Sequence, residues 1–79
     1  MYYVYILENK AGKHYIGIAS NADRRLSSHN SGKVRSTRPY KPWEIIYAEE
    51  CDNRIAARKR EINLKTNYNE REKILNKLR

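Results

Sequence analysis

Two runs of β-branched and aromatic residues, YYVYILE at 2–8 and KHYIGIA at 13–19, are separated by only four residues, NKAG. Such runs read as strands, and a short spacer with asparagine and glycine reads as a turn. The pair therefore forms a hairpin, and the rest of the chain must pack around it. Pairing Leu7 with Lys13 sets Tyr5 directly opposite Tyr15, with both side chains on one face. That match depends on register, and a slip of one residue breaks it.

Beyond the hairpin, Ser20-x-x-Asp23 has the spacing of a capping box, with Asp23 in place of the more usual glutamate. A first helix then runs to about Asn30, and Gly32 ends it. Residues 31–42, SGKVRSTRPYKP, read as a basic loop, and WEIIYAEE at 43–50 as a third strand. Asp52 or Asn53 caps a second helix that runs through about Lys65. Asn69-x-x-Glu72 caps a third, with Ile74, Leu75 and Leu78 on one side. The order is β-β-α-β-α-α, which predicts an α+β fold: a small three-stranded antiparallel sheet flanked by helices. Residues 1–79 contain no internal repeat, low-complexity segment or linker, so a single domain is expected.

Size and charge narrow the function. A domain of 79 residues buries only about 60% of the surface its unfolded chain exposes. Any site is therefore expected on an open face or in a shallow groove. The single cysteine, Cys51, excludes a disulfide within the chain and a cysteine-based metal site, and it fits a reducing compartment. Lysine and arginine total 17 against 9 acids, a net charge of +8. A field of that sign recruits polyanions, nucleic acid first among them. No apolar run is long enough to span a membrane, and no signal-peptide pattern is visible. A soluble cytoplasmic protein is the expectation.

Four constellations could carry chemistry. Arg25 and His29 lie four apart on the first helix, which puts a phosphate-binding fork and a proton acceptor on one face. An exposed basic pair with no role has the same spacing. Glu61 sits among Arg58, Lys59, Arg60 and Lys65, with Ala57 and Leu64 at helical spacing, so it falls at the edge of the apolar face. A carboxylate there could hold a divalent metal, with water and phosphate completing its shell. It could equally form an intrahelical ion pair with Lys65. Seven tyrosines and no phenylalanine suggest that some hydroxyls matter, Tyr5 and Tyr15 above all, although packing explains Tyr2 and Tyr47. The stretch KVRSTRPYK, 33–41, interleaves Lys33, Arg35, Arg38 and Lys41 with the hydroxyls of Ser36, Thr37 and Tyr40, a pattern that can contact successive phosphates or simply be solvated.

Read in order, Tyr3-Val4-Tyr5, then Tyr15-Ile16-Gly17, then Arg25, His29 and Glu61, the chain resembles the GIY-YIG nuclease family. The stretches YIG through ADRRLSSHNSGK and REINLK resemble its small stand-alone bacterial members, and the likeness covers roughly residues 2–66. Two positions depart from the pattern. Tyr3 stands where the first signature usually has glycine. Ile18 stands where the excision-repair branch tends to carry a basic residue, which argues against equivalence with the excision-repair nuclease subunit. The resemblance implies a metal-dependent endonuclease that hydrolyses a phosphodiester in one step. By that likeness Glu61 would be the sole protein ligand of a Mg²⁺ or Mn²⁺ ion. Tyr15 would position or deprotonate the attacking water, with His29 as proton acceptor. Tyr5 would hold water or phosphate, and Arg25 would bind the scissile phosphate. Gly17 would let the strand bend without blocking that phosphate. Lys33, Arg35, Thr37, Arg38, Lys41, Arg58 and Lys65 are the expected nucleic-acid contacts. The expected partner is DNA, with RNA left open, and branched, damaged or single-stranded sites and a role in DNA repair are candidates. The alternative is a nucleic-acid-binding module of the same fold with little or no cleavage activity.

Overall fold

The computed structural model describes residues 1–78. Its elements follow the order β1 (Tyr2–Asn9), β2 (His14–Ala19), α1 (Ala22–Asn30), a single 3₁₀ turn (Arg38–Tyr40), β3 (Trp43–Cys51), α2 (Arg54–Thr66) and α3 (Tyr68–Lys77). The three strands form one antiparallel sheet in the order β2-β1-β3. This is the α+β architecture expected from the sequence. Among the described residues no helix is long and apolar enough to cross a membrane.

The central strand β1 is buried along Val4, Tyr5, Ile6 and Leu7, and alternation sends these side chains to opposite faces. Val4 and Ile6 join Ile16, Leu64 and Leu75 in one core layer, closed by Ile18, Ile46, Tyr47 and Ile74. Tyr5 and Leu7 join Trp43 in the other, with Tyr15, Ala19, Leu26 and Ile45 against them. Helices α2 and α3 therefore cover one face of the sheet, and α1 covers the other. A bulge in β3 opposite Ile6 and Leu7 lets the neighbours Ile46 and Tyr47 serve the same layer, with Ile45 in the other.

The hairpin register differs from the sequence expectation. Tyr5 pairs with Gly17 and Leu7 with Tyr15, the first pair being Glu8 with His14. The turn is the cause. The Asn9 amide donates to the Lys13 carbonyl at 3.1 Å, and the Asn9 side-chain oxygen accepts from the amides of Ala11 (3.1 Å) and Lys13 (2.8 Å). Gly12 adopts φ 80°, a conformation that glycine takes without strain. Lys13 is thus consumed by the turn, and the ladder starts one residue later on β2 and one residue nearer the turn on β1. The shift is two residues, so Tyr5 and Tyr15 stay on one face.

All three helices start on an asparagine whose side chain accepts the amide three residues on: Asn21 from Arg24, Asn53 from Ala56, Asn67 from Glu70. Ser20 and Asn69, expected as caps, do not serve. β2 ends at Ala19 and the chain is still extended at Asn21, so Ser20 lies one residue before the helix entry. Asn67 closes α2 by donating its amide to the Asn63 carbonyl at 2.8 Å and opens α3 with its side chain. Helix α3 starts earlier than expected and ends at Lys77, so Leu78 falls past its last full turn and is 49% exposed.

One side chain thus sets the α2–α3 corner. Asn67→Ala is expected to cost roughly 0.5–2 kcal/mol in urea unfolding, while Asn69→Ala stays within about 0.5 kcal/mol of the parent.

Candidate functional site

The edge strand β2 is where α1 and α2, which cover opposite faces, approach each other. A cavity of about 340 Å³ opens there, lined by Tyr5, Tyr15, Gly17, Ile18, Arg25, Arg54, Arg58 and Glu61. Every wall group has a local reason for its place. Tyr5 and Tyr15 project from the same face of the hairpin. Arg25 and His29 share one face of α1. Ala57, Glu61 and Leu64 form the buried stripe of α2, so Glu61 is a carboxylate set into an apolar stripe.

Behind the cavity wall lies a buried hydrogen-bonded chain. The Tyr5 hydroxyl is 3.0 Å from His29 Nε2, and His29 Nδ1 is 2.7 Å from Thr37 Oγ1. The Thr37 hydroxyl donates to the Val34 carbonyl at 3.3 Å. A carbonyl only accepts, so Thr37 spends its proton there and takes the Nδ1 proton of the imidazole. That leaves Nε2 as the acceptor of the Tyr5 hydroxyl proton. His29 is 0% exposed and Thr37 2%, so both are shielded from solvent. Burial, and after it the Arg25 charge, hold the His29 pKa below the usual 6.5; the ring is neutral at pH 7. Burial pushes the Tyr5 phenol up to about 12, against the pull of nearby Arg25. Tyr5 is therefore a protonated donor at neutral pH.

The three rings pack as a cluster. Tyr15 and His29 centroids lie 4.8 Å apart at 62°, and Tyr5 lies 6.0 Å from His29 and 6.4 Å from Tyr15. Gly17 makes the room. A Cβ there would stand 2.6 Å from the Tyr5 hydroxyl oxygen and 3.0 Å from a Tyr15 ring carbon. The missing side chain thus clears space for two phenols.

Glu61 is 5% exposed, and both of its oxygens are engaged. Arg58 Nη1 reaches one at 2.6 Å and Lys65 Nζ the other at 3.1 Å. Burial alone would raise the carboxyl pKa, but these two cations outweigh it and hold it below its usual value. The ion pair with Lys65 weighed from the sequence is present, and it coexists with a place on the cavity wall.

The structure thus gathers Tyr5, Tyr15, Arg25, Glu61 and Arg58 around one cavity, with His29 hydrogen-bonded to Tyr5 and its ring packed against Tyr15. Lys65 reaches Glu61 from the rim. Lys33, Arg35, Arg38 and Lys41 are exposed and lie outside the cavity lining; Arg38 is drawn back onto the Gly32 carbonyl at 2.7 Å. Thr37 was expected to face phosphate, but its hydroxyl points inward to His29. Its backbone carbonyl also accepts from the Trp43 indole at 3.0 Å, which locks the loop in place. Sequence reasoning missed Arg54. Its position one turn before Arg58 and two turns before Glu61 was the available signal.

Comparison with known proteins agrees with this architecture. Residues 1–76 match the family described as the GIY-YIG catalytic domain. A UPF0213 protein of Staphylococcus saprophyticus is 35% identical over 66 residues, which cover 82% of this chain and 80% of that one. A UPF0213 protein of Desulfotalea psychrophila is 39% identical over 66 residues, 81% of this chain but 60% of its relative. The solution NMR structure of a UPF0213 protein from Bacillus halodurans superposes with a TM-score of 0.58 at 32% identity, covering 96% of this chain and 84% of that one. With the match running through both strands of the hairpin and all three helices, this chain belongs to the GIY-YIG catalytic-domain family.

Proposed function

We propose that this protein is a divalent-metal-dependent endonuclease that hydrolyses phosphodiester bonds in nucleic acid, with DNA as the first substrate to test. The observation that carries this reading is the union, on one cavity, of an ionised buried carboxylate, an arginine and a phenol hydrogen-bonded to a neutral imidazole. Titratable groups perturbed by burial and specific charges, gathered in one cleft, are what acid–base and metal-assisted chemistry asks for.

The donor set suits a hard cation. Glu61 offers oxygen ligands, and among the described residues no group of three or more His, Cys, Asp or Glu side chains converges to enclose a metal. A single carboxylate, with water and phosphate oxygens for the remaining positions, is a normal arrangement for Mg²⁺. Arg58 and Lys65 reach Glu61 from solvent-exposed positions and can swing toward phosphate when the cation arrives. Glu61 would hold the ion, which supplies Lewis-acid stabilisation of the phosphate and of the leaving oxygen.

The remaining work falls to side chains of this chain. Arg25 binds the scissile phosphate and offsets the charge that builds on it in the transition state. Tyr15, the less buried of the two phenols, orients the attacking water. As that water bonds to phosphorus it passes a proton to the Tyr5 oxygen, and Tyr5 passes its own to His29 Nε2. The P–O3′ bond breaks and the 3′ oxygen leaves. Because one proton arrives at Tyr5 as another departs, no phenolate accumulates, which its high pKa requires. The imidazolium that forms keeps its Nδ1 proton on Thr37.

One feature favours a second reading. Both Glu61 oxygens already have cationic partners, as they would in a structural ion pair on a nucleic-acid-binding module. The cleavage experiment separates the two. With Mg²⁺ or Mn²⁺, wild type is expected to nick supercoiled plasmid or a labelled branched DNA, with no reaction in EDTA. Glu61→Gln is expected to lose cleavage while retaining binding, and Arg25→Ala to slow it by about 10²–10³-fold. Tight binding by wild type without cleavage of either substrate would favour the binding module.

The buried chain gives a second expectation. Thr37→Val preserves shape but strands the Nδ1 proton, at a cost of about 1–3 kcal/mol in stability. It should also slow single-turnover cleavage about tenfold and change its pH profile, while Thr37→Ser restores both.

The lowered His29 pKa sets a pH dependence of known sign. The unfolded histidine takes up its proton near 6.5 and the folded one only at lower pH, so the unfolded state binds more protons in between. Stability from this group is complete above about pH 6.5 and is lost as pH falls toward the lowered value. Denaturant titrations from about pH 7.5 down to about pH 5 should show that fall in wild type, and a shallower one in His29→Gln. Cleavage should decline over the same acid limb, because a protonated His29 accepts nothing.

A further inference from the structure

The catalytic cavity does not end at Arg25. A second hollow, of about 380 Å³, adjoins it beside the entry to α1 and is lined by Tyr2, Ser20, Asn21, Arg24, Ser28 and the shared residues Ile18, Arg25 and Arg54. Arg25 and Arg54 border both hollows, so they form one continuous groove. No acidic side chain lines this extension. Among the described residues, Arg24, Arg25 and Arg54 have no carboxylate within ion-pairing distance. Three guanidinium groups stand here unneutralised, beside two serine hydroxyls.

The opposite exit from the cavity differs in charge. Past Tyr15 lies a hollow of about 530 Å³ lined by His14, Lys65, Arg71, Glu72 and Leu75. Its basic side chains already have partners within the fold. Lys65 is paired with Glu61. His14 lies 2.8 Å from Glu8. Arg71 donates to the carbonyls of Leu64 and Lys65 at the end of α2. The wall of this hollow thus carries an acid, Glu72, whereas that of the groove carries none.

We propose that the nucleic-acid strand runs from the cavity along the Arg24–Arg54 groove, which binds the backbone phosphates next to the one cut. This rests on the endonuclease reading of the cavity, but it assigns a different set of residues to a different task. Arg24 from the first turn of α1 and Arg54 from the first residue of α2 stand on the two helices that frame the cavity. They can fork the phosphate backbone between them. The basic 33–41 loop is then not the principal phosphate track, since none of its cations lines either hollow.

The test measures binding of a fluorescein-labelled single-stranded oligonucleotide by anisotropy, in EDTA, from about 50 to 200 mM salt. Arg24→Ala/Arg54→Ala is compared with Lys10→Ala/Lys77→Ala, which removes equal charge away from the groove. Both arginines are exposed and without ion-pair partners, so the fold should persist; far-ultraviolet circular dichroism and thermal melting verify it. The groove variant is expected to bind about tenfold more weakly. Its slope of log affinity against log salt should be shallower by about 1.4, or about 0.7 for each lost phosphate contact. The lysine control should keep the wild-type slope, and Arg24→Lys/Arg54→Lys should recover most of it. Equal loss in groove and control variants, or no loss in either, overturns the groove. Plasmid nicking by the same proteins keeps the two readings apart. A wild type that cleaves, with a groove variant that binds normally, overturns the groove alone. A wild type that binds through the groove but never cleaves supports the groove and overturns the endonuclease.

Discussion

The contact on which the site depends is the hydrogen bond between the Tyr5 hydroxyl and His29 Nε2. It joins the central strand to α1, and through Thr37 it joins both to the basic loop. The loop has little apolar surface to hold it. Its order comes from polar anchors: Thr37 on His29, the Trp43 indole on the Thr37 carbonyl, and Asn30, which exchanges two hydrogen bonds with the Trp43 backbone at 2.6 and 2.9 Å. Each buried side-chain nitrogen and oxygen has a partner among the described residues. In a core this small, one orphaned group would cost a large part of the total stability. The same completeness fixes the tautomer of His29. The network that satisfies the buried side chains is therefore also the one that leaves Nε2 to accept from Tyr5.

Much of the site was legible in the sequence because its signals are periodic. The i, i+4 spacing of Arg25 and His29, and of Ala57 and Glu61, places side chains on one helix face whatever the helix packs against. The strand period did similar work for Tyr5 and Tyr15. Their register shifted by two residues when Asn9 and Gly12 built the turn, and a two-residue shift leaves faces unchanged. The helix order and the three-stranded sheet followed from the same periodicities.

What the sequence concealed was non-periodic. Asn67-x-x-Glu70 and Asn69-x-x-Glu72 have identical spacing, and only the end of α2 at Asn67 decides between them. Ser20 and Asn21 are both good caps, and the end of β2 chooses. Thr37 lies in a stretch of cations and hydroxyls whose pattern suggests phosphate contact. That it turns inward depends on His29 being wholly buried, which no local pattern encodes. The hydrogen bond from Tyr5 to His29 is equally non-local: Tyr5 and Tyr15 share a face, and no sequence pattern says which hydroxyl meets the imidazole.

Glu61 shows how so small a domain can keep a charged group desolvated. A carboxylate in the apolar stripe of α2 costs free energy unless it is paired. Arg58 and Lys65 supply the pairing from its own helix, at i−3 and i+4, so no long-range contact has to form first. Both partners keep their outer ends in solvent. The charged ends thus stay hydrated while the carboxylate between them is buried. The free arginines of the adjoining groove differ in kind, because they have no internal acid to leave. Charge in this chain is thus divided between cations that hold a buried carboxylate and cations that have no acid beside them.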